Sequence, residues 1–487
     1  MTAPLPGGWT AGDATSWPGA GRRARLVGID AARALALAGM AWVHILPVRH
    51  PDGTDTLAGA VAGGRASALF AVLAGVGVAL ATRATPFGRP SPPPVPAGVG
   101  PRPGGVAVAS PGTGFVRGVA EPAGRGVGAV ADPYGHRGGG AAPPGRPPSG
   151  GTAAASPVMT AAPGAVAGPP GGPRAHAGAA AGLVVRGVLV ALLGLALVGL
   201  RPPVAVILPY YGLLFVLATP LLRLRWPALA GLAALWCVAG PVASHVLRAG
   251  REALPGPQPG FGALAAPSGL LRELLLTGYY PALPWLTYLL VGMAVGRAPL
   301  WSPRVAAGLL GGGAALAAAA SAGSALLLGP GGGAGVLGPA ATMRRYGTVP
   351  TDTWWWLAVR GAHTGTPFDL AHTAGTALAV IGAMLLLARV APALSWLLGA
   401  VGAMPLTLYA LHVTALAVFP PKAATAAGIA LGTLLGVHLA VALVIGVLVR
   451  ATGLRGPLEA VVGAASRAAR RAVTGGAGAG GAGAGRG

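Results

Sequence analysis

The chain has 487 residues, of which 53% are hydrophobic and only 9% are charged, with a mean hydropathy of +0.66. Soluble domains carry about 25% charged residues, so this composition excludes a water-soluble protein and indicates an integral membrane protein. The formal net charge of +23 does not indicate a nucleic-acid partner, because the basic residues lie between apolar segments and no nucleic-acid-binding motif is present.

Apolar segments follow one another along the chain, and many are long enough to cross a bilayer, which takes about 20 helical residues. We predict an all-α, polytopic integral membrane helix bundle with about ten transmembrane helices. The predicted spans are 27–47, 57–82, 180–200, 203–222, 226–248, 280–299, 304–328, 370–390, 393–418 and 424–450. The single cysteine, Cys237, lies inside the fifth span, so an intrachain disulfide is excluded.

Three regions lie outside the predicted membrane part. Residues 1–25 are a cytoplasmic N-terminal tail, and residues 84–179 are a Pro/Gly/Ala-rich loop that we predict to be disordered, because it has few large apolar side chains. Residues 456–487 combine a basic amphipathic segment, predicted as a short helix on the membrane surface, with a disordered Gly/Ala tail. Helices 1 and 2 then occupy residues 26–83, and helices 3 to 10 occupy residues 180–455.

Basic residues indicate the orientation of the chain. Arg22, Arg23 and Arg25 precede the first span, and the 84–179 loop contains many further arginines. Basic loops face the cytoplasm under the positive-inside rule. We therefore predict a multi-pass protein of the plasma membrane with both termini in the cytoplasm.

Six histidines are predicted at outer helix ends or in outer loops. They are His44, His50, His245, His363, His372 and His412. A histidine at the interface can simply reflect a wet environment, but six on one side indicate a polar pocket that opens outward. His438 is predicted near the middle of the membrane.

Charged residues add to this predicted pocket. Asp369 and His372 are three residues apart and share a helix face, and Asp352 lies in the tryptophan-rich outer segment before them. An aromatic belt at the interface is the alternative explanation for the outer tryptophans and tyrosines. Arg65 lies in an otherwise apolar helix, so it needs either a structural acidic partner or a water-filled functional cavity.

The first helix links two polar groups. Asp30 and Arg33 are three residues apart near its cytoplasmic start and can form an ion pair. His44 follows Arg33 by eleven residues, about three turns, and lies on nearly the same helix face. This arrangement could connect a cytoplasmic donor site with an outer acceptor site.

The opening segments RLVGIDAARALALAGMAWVH (25–44) and GRASALFAVLAGVGVAL (64–80) resemble the start of the heparan-alpha-glucosaminide N-acetyltransferase-like membrane family. They also resemble the wider transmembrane acyltransferase group that includes acyltransferase-3 proteins. YYGLLFVLATPLL (210–222) and GAMPLTLYALH (402–412) extend the resemblance. These families open with Asp-x-x-Arg-Gly, whereas Ala34 stands at the glycine position here.

The two parts of this resemblance imply different key histidines. In acyltransferase-3 proteins a histidine ends the first helix at the spacing seen here between Asp30 and His44. The lysosomal acetyltransferase has asparagine at the position of His44, and its active histidine lies further on in the outer loop, which makes His50 the rival.

Membrane-bound acyl transfer is the activity that the resemblance implies, with acetyl-CoA as co-substrate, a sugar or amine as acceptor, no bound cofactor and no metal. The candidate catalytic residues are His44, His50, Arg65, Asp369 and His372, the candidate donor-binding residues are Asp30 and Arg33, and the candidate acceptor-binding residues are Asp352, His363, Tyr409 and His412. A transporter or permease, and a non-catalytic membrane partner of a cell-envelope complex, are the alternatives. The sequence shows no convincing internal repeat, which favours the enzyme over the transporter.

Overall fold

The structure, a computed structural model, describes residues 26–82, 173–250, 256–342 and 345–475. Within these ranges the chain is helical, and no strand occurs beyond an isolated bridge between Arg49 and Asp55. The α-helices are α1 (Val27–Ile45), α2 (Leu57–Ala62), α3 (Arg65–Thr82), α4 (Pro173–Gly199), α5 (Leu208–Leu217), α6 (Trp226–Leu247), α7 (Pro267–Arg272), α8 (Ala282–Arg297), α9 (Pro303–Leu328), α10 (Gly333–Leu337), α11 (Pro367–Val390), α12 (Pro392–Val401), α13 (Pro405–Val418), α14 (Pro421–Ala426), α15 (Leu431–Ala451) and α16 (Pro457–Gly475). The predicted all-α class is confirmed for the described part of the chain.

Six helical segments among the described residues are long and apolar enough to cross a membrane, and two bent pairs would each qualify as one further span. The six are α2 and α3 together, α4, α6, α9, α11 and α15. One bent pair joins Pro267–Thr277 to α8 at 61°, and the other joins α12 to α13 at 60°. These features describe a helical multi-pass membrane bundle with six to eight spans of sufficient length, compared with the predicted ten.

Two predicted spans, 27–47 and 203–222, are not among these segments. The α5 helix covers only Leu208–Leu217 and gives way to a 3₁₀ turn, so the span predicted at 203–222 is too long. The α1 helix has 19 residues, but it contains Asp30, Arg33 and His44. These three polar side chains lower its hydropathy.

Small residues let the central helices pack closely. A Cβ atom at Gly292 of α8 would lie 1.9 Å from the carbonyl oxygen of Val72 on α3, so only glycine fits there. A Cβ atom at Gly313 of α9 would lie 2.6 Å from the carbonyl oxygen of Gly375 on α11. Close backbone contacts of this kind hold membrane helices together, because the surrounding lipid supplies no hydrophobic driving force between them.

The junction between α12 and α13 is built against the start of α1. A Cβ atom at Gly402 would lie 1.7 Å from the carbonyl oxygen of Asp30. The chain bends at this contact, and Pro405 begins α13. Proline is favoured at the first position of a helix and disrupts a helix interior. The predicted continuous span 393–418 is therefore two helices.

The C-terminal helix α16 packs against the first half of α4. A Cβ atom at Gly178 would meet Thr474 and Arg470, and one at Gly182 would meet Ser466, so the two helices run antiparallel. The predicted basic helix is thus present. Its contact with α4 is an arrangement that the sequence does not predict.

The boundaries of the predicted loop and tails are only partly described. Residues 173–179, which we predict to be disordered, are helical because α4 begins at Pro173. Residues 1–25, residues 84–172 and the tail from 476 onward lie outside the described residues.

Candidate functional site

A polar cavity opens at the end of the bundle where α1 ends and α3 and α8 begin. Its volume is about 460 Å³, which is in the range of small-molecule sites. We name it the histidine cavity. Its polar lining residues are His44, Gln258, Tyr279, Tyr280, Tyr346 and His363.

His44 in this cavity is paired with a second histidine. It lies in the last turn of α1, and its Nδ1 atom is 3.1 Å from Nε2 of His412 on α13. The two rings stack, with centroids 5.4 Å apart. In a pair of neutral imidazoles, one of these nitrogens carries the shared proton and the other accepts it. The contact therefore fixes the orientation of the His44 ring.

A third histidine extends this pair into the membrane part. His438 on α15 meets His412 edge to face, with ring centroids 5.1 Å apart. Its Nδ1 atom lies 2.9 Å from the carbonyl oxygen of Leu434, whereas its buried Nε2 atom has no hydrogen-bond partner among the described residues. A buried polar atom without a partner costs about 1–3 kcal/mol, so its presence calls for a reason.

His363 is presented to the cavity by a loop with unusual backbone geometry. Its φ angle of 59° lies in the left-handed region, which residues other than glycine rarely adopt. Its carbonyl oxygen accepts a hydrogen bond of 2.7 Å from the backbone of Gly347. The ring stacks with Tyr346 and meets the edge of Tyr280, at centroid distances of 6.4 and 5.8 Å. Held backbone strain of this kind is frequent at functional sites.

Arg65 and His372 form a separate polar cluster beside the cavity. The Nε and Nη2 atoms of Arg65 lie 3.2 and 3.1 Å from Nε2 of His372, and Nη1 of Arg360 lies 3.4 Å from the same atom. Since both arginines can only donate, Nε2 accepts. The proton is then on Nδ1, which lies 3.0 Å from the Ser321 hydroxyl. The lone pair of His372 is thus engaged by the arginines.

Asp369 supports the start of α11. The carboxyl group is buried, and its Oδ2 atom accepts a 3.0 Å hydrogen bond from the backbone of Gly365. The Thr366 hydroxyl caps the helix by accepting a 3.2 Å bond from the backbone of Asp369. These contacts give Asp369 a structural role in the loop that carries Arg360 and His363.

A second cavity, of about 260 Å³, lies near the start of α1. We name it the arginine cavity, because Arg33 and Arg186 both line it. Arg33 pairs with Asp30 over 2.6 Å, as the sequence predicts. The guanidinium carbon of Arg186 on α4 lies 5.6 Å from the ring centroid of Phe215.

Glu459 of α16 closes one side of the arginine cavity and caps α13. Its Oε1 atom accepts hydrogen bonds from the backbone of Leu406 and Thr407, at 2.6 and 3.1 Å. Its Oε2 atom accepts a 2.6 Å bond from the Thr407 hydroxyl. A carboxylate suits this position because the first N–H groups of a helix lack partners within the helix.

Three aromatic rings from three helices stack on one another, and we name them the aromatic layer. Phe70 of α3 stacks with Tyr409 of α13 and with Tyr211 of α5, at centroid distances of 6.2 and 5.7 Å. Phe70 lines the arginine cavity, while Tyr409 lines a small inner recess of about 20 Å³ that adjoins the histidine cavity and shares His44 with it. The Tyr409 hydroxyl accepts a 3.2 Å hydrogen bond from the backbone of Ile207.

Besides the Arg65–His372 cluster, Asp369 and Asp30, two further predicted site residues lie apart from the cavity linings. His50 is exposed in the loop after α1, where its backbone N–H donates to the Thr54 carbonyl oxygen at 2.8 Å. In the same loop the hydroxyl and backbone N–H of Thr54 donate to Asp52 and lower the pKa of its carboxyl group. Asp352 accepts a 2.7 Å hydrogen bond from the Trp356 indole. Asp352 therefore holds the tryptophan segment in place.

Several cavity residues are missed by sequence reasoning. Gln258, Tyr346, Arg186 and Glu459 come from loops and helix faces far apart along the chain. Periodicity describes one helix at a time, so it carries no signal for such contacts. The pair at 279–280, directly before α8, offers the one usable signal, since two tyrosines beside a proline mark a helix end.

Comparison of the chain with protein-family models, with curated proteins and with solved structures finds no match. Across the described ranges, no group of three or more His, Cys, Asp or Glu side chains is arranged to hold a metal ion. One cavity offers an oriented imidazole beside phenols, and the other offers guanidinium groups.

Proposed function

We propose that this chain is a membrane-bound acyltransferase in which His44 is the general base. The observation that carries the proposal is the pairing of His44 with His412 at the wall of the histidine cavity. When Nδ1–H of His44 donates to Nε2 of His412, the basic lone pair of the His44 ring is on its Nε2 atom. A base held by a second residue is the arrangement that proton-transfer catalysis requires.

The proposed reaction moves an acyl group from a CoA thioester to a sugar hydroxyl or an amine. The acceptor oxygen or nitrogen attacks the acyl carbon, and a C–O or C–N bond forms as the C–S bond breaks. His44 takes the proton of the acceptor and returns it to the departing CoA thiolate, so no net proton is gained or lost. Histidine suits this exchange because its ordinary pKa, about 6.5, is close to neutral pH.

The donor would enter at the arginine cavity. Arg33 and Arg186 supply positive charge for the phosphates of acetyl-CoA, and guanidinium groups bind phosphate through paired hydrogen bonds. Asp30 orients Arg33 through their ion pair. Along α1, the eleven residues from Arg33 to His44 correspond to a rise of about 16 Å. The acyl end of the donor has to cross this distance, past the aromatic layer.

The acceptor would bind in the histidine cavity. Tyr279, Tyr280 and Gln258 offer hydroxyl and amide groups at its wall, and His363 stands among them. Such groups form hydrogen bonds with the hydroxyl groups of a sugar. Of the acceptor-binding candidates taken from the sequence, His363 lines the cavity, and Tyr409 lines the small recess beside it. His412 contacts His44 but does not line the cavity, and Asp352 lies apart from it.

We also propose ten crossings of the plasma membrane, with both termini in the cytoplasm. Support comes from the polar contacts of α1 and α5, the two predicted spans that are not among the six long apolar segments or the two bent pairs. The end of α1 meets the middle of α13 through His44 and His412, and the start of α5 meets α13 through Ile207 and Tyr409. Each helix thus has one end in the layer that contains the histidine cavity.

Acyl transfer by the purified full-length protein tests the proposal. The protein in lipid nanodiscs is given acetyl-CoA and glucosamine, and products are identified by mass spectrometry. We expect an acetylated product from the unaltered chain and from His50→Ala, whose side chain is exposed and lines neither cavity. We expect turnover by His44→Ala to be about 10²–10⁴-fold lower. If His50→Ala abolishes turnover and His44→Ala retains it, the base is the loop histidine.

Transport is a second candidate function, which the two bent helix pairs favour. Transporters often bind their substrates where membrane helices are broken. The break between α12 and α13 adjoins the arginine cavity, since Ala403 and Pro405 line it. Exchange of a labelled sugar or amine across proteoliposomes, without any acylated product, would support the transporter.

A further inference from the structure

An apolar groove lies along the opposite face of His412 from the histidine cavity. It has a volume of about 380 Å³ and runs between α1, α12, α13 and α15. Aliphatic side chains form nearly all of its lining, and the exceptions are His412, His438 and Tyr409. The groove lies beside α15, one of the membrane-spanning candidates, so hydrocarbon is the medium that it meets.

The groove adjoins the small recess that lies beside the histidine cavity. Met40 and Tyr409 line both the groove and the inner recess that contains His44. His412 lines the groove with its ring while its Nε2 atom contacts His44. Of these shared residues, Met40 has a flexible side chain, so a rotamer change there would join the two spaces.

The lateral position of the groove indicates how a ligand would reach it. Val437 and Leu439 on α15 are 54% and 40% exposed and line its rim. A molecule that diffuses within the bilayer can enter from this side, whereas a water-soluble thioester cannot. The apolar lining excludes a charged or sugar-like occupant, because such groups are costly to bury without partners.

We propose that the acceptor is amphipathic, with a sugar or amine headgroup in the histidine cavity and a hydrocarbon chain in this groove. This inference rests on the proposed function and specifies its substrate class. The acyl carbon leaves the CoA sulfur for the headgroup oxygen or nitrogen, and the headgroup proton passes through His44 to the thiolate. The hydrocarbon chain of the acceptor takes no part in the reaction and holds the headgroup beside His44.

Filling the groove tests this proposal. Ala442 on α15 lines the groove and is half-buried, so Ala442→Phe places a ring in the space. Ala440, two residues earlier, is exposed and is not part of the lining, so Ala440→Phe is a matched control. Ala415→Phe fills the groove from α13 and serves if Ala442→Phe does not fold. Size-exclusion chromatography in detergent checks the folding of each variant.

The assay compares two acceptors with the same headgroup, decyl glucosaminide and methyl glucosaminide, in nanodiscs with acetyl-CoA. For the unaltered chain we expect kcat/KM to be at least about tenfold higher with the decyl acceptor, since several buried methylenes each add favourable transfer free energy. Ala442→Phe should remove this preference and leave the methyl acceptor unchanged, and Ala440→Phe should leave both unchanged. Equal losses for both acceptors, or no preference in the unaltered chain, would overturn the proposal.

Two further outcomes separate this inference from the proposed function. If neither acceptor is acetylated, the proposed acyl transfer is wrong. Native mass spectrometry of bound decyl glucosaminide then still tests whether the groove binds the decyl chain. Binding to the unaltered protein and to Ala440→Phe, but not to Ala442→Phe, supports the groove as the site of the hydrocarbon chain. Equal binding to all three proteins overturns this assignment. If Ala442→Phe lowers transfer from decanoyl-CoA but not from acetyl-CoA, with both acceptors affected alike, the groove holds the donor chain and the proposal is wrong.

Discussion

Replacing His412 gives a quantitative test of how the two histidines act together. His412→Phe keeps a ring of similar shape but removes the nitrogen that faces Nδ1 of His44 at 3.1 Å. His44 becomes a cation when it takes the proton of the acceptor, and a hydrogen bond to a charged group contributes about 1.5–3 kcal/mol, while about 1.4 kcal/mol changes a rate tenfold. Without this bond in the transition state we expect kcat to fall by about 10- to 150-fold. His412→Gln, which offers a carbonyl oxygen at this position, should recover much of the loss.

A double-mutant cycle on acyl transfer to glucosamine checks this reasoning. Loss of a general base typically costs about 10²–10⁴-fold, so His44→Ala alone should reach that range. His412→Phe should have little further effect in the His44→Ala background, because no base is left to orient. If the two losses multiply, His412 does not act through His44 and the proposed orienting role is refuted.

Three further predictions concern the fold and its orientation. Glu459→Gln should lower the free energy of unfolding by about 1 kcal/mol, measured by thermal unfolding in detergent, because the charged cap of α13 becomes neutral. Gly402→Ala should prevent accumulation of folded protein, since its Cβ would lie 1.7 Å from a backbone oxygen of α1. Gly436→Ala, with nothing within 4 Å of its Cβ, is the control, and equal yields would contradict the close contact. A membrane-impermeant thiol reagent on intact cells should label Asp52→Cys but not Arg455→Cys, and the reverse pattern would exclude the proposed orientation.

Sequence reasoning located the long helices because neighbouring residues in the sequence mark their boundaries. The span predicted at 304–328 matches α9 within one residue, and the span predicted at 370–390 begins three residues after the start of α11. Pro303 and Pro367 begin these two helices, and apolar runs of sufficient length fill them. Both signals depend only on neighbouring residues, so no tertiary contact is needed to read them.

The site was harder to predict because its contacts join residues that are far apart along the chain. His44 and His412 are 368 residues apart, and Arg65 and His372 are 307 residues apart. The predicted topology placed all of these residues in one outer pocket. It could not show that they form two separate clusters. The break between α12 and α13 was also missed, although Pro405 marks it in the sequence. The contact of Gly402 with α1, which also lies at this break, joins distant parts of the chain and carries no sequence signal.

The aromatic layer has an electrical consequence. In the proposed orientation, water entering the two cavities would bring the solution on each side of the membrane close to this layer. The membrane potential would then fall mainly across the rings of Phe70, Tyr211 and Tyr409. Moving one elementary charge through that field is worth about 2.3 kcal/mol per 100 mV. A group carried past these rings without charge, such as an acyl thioester, would not experience this barrier, whereas an ion or a proton would.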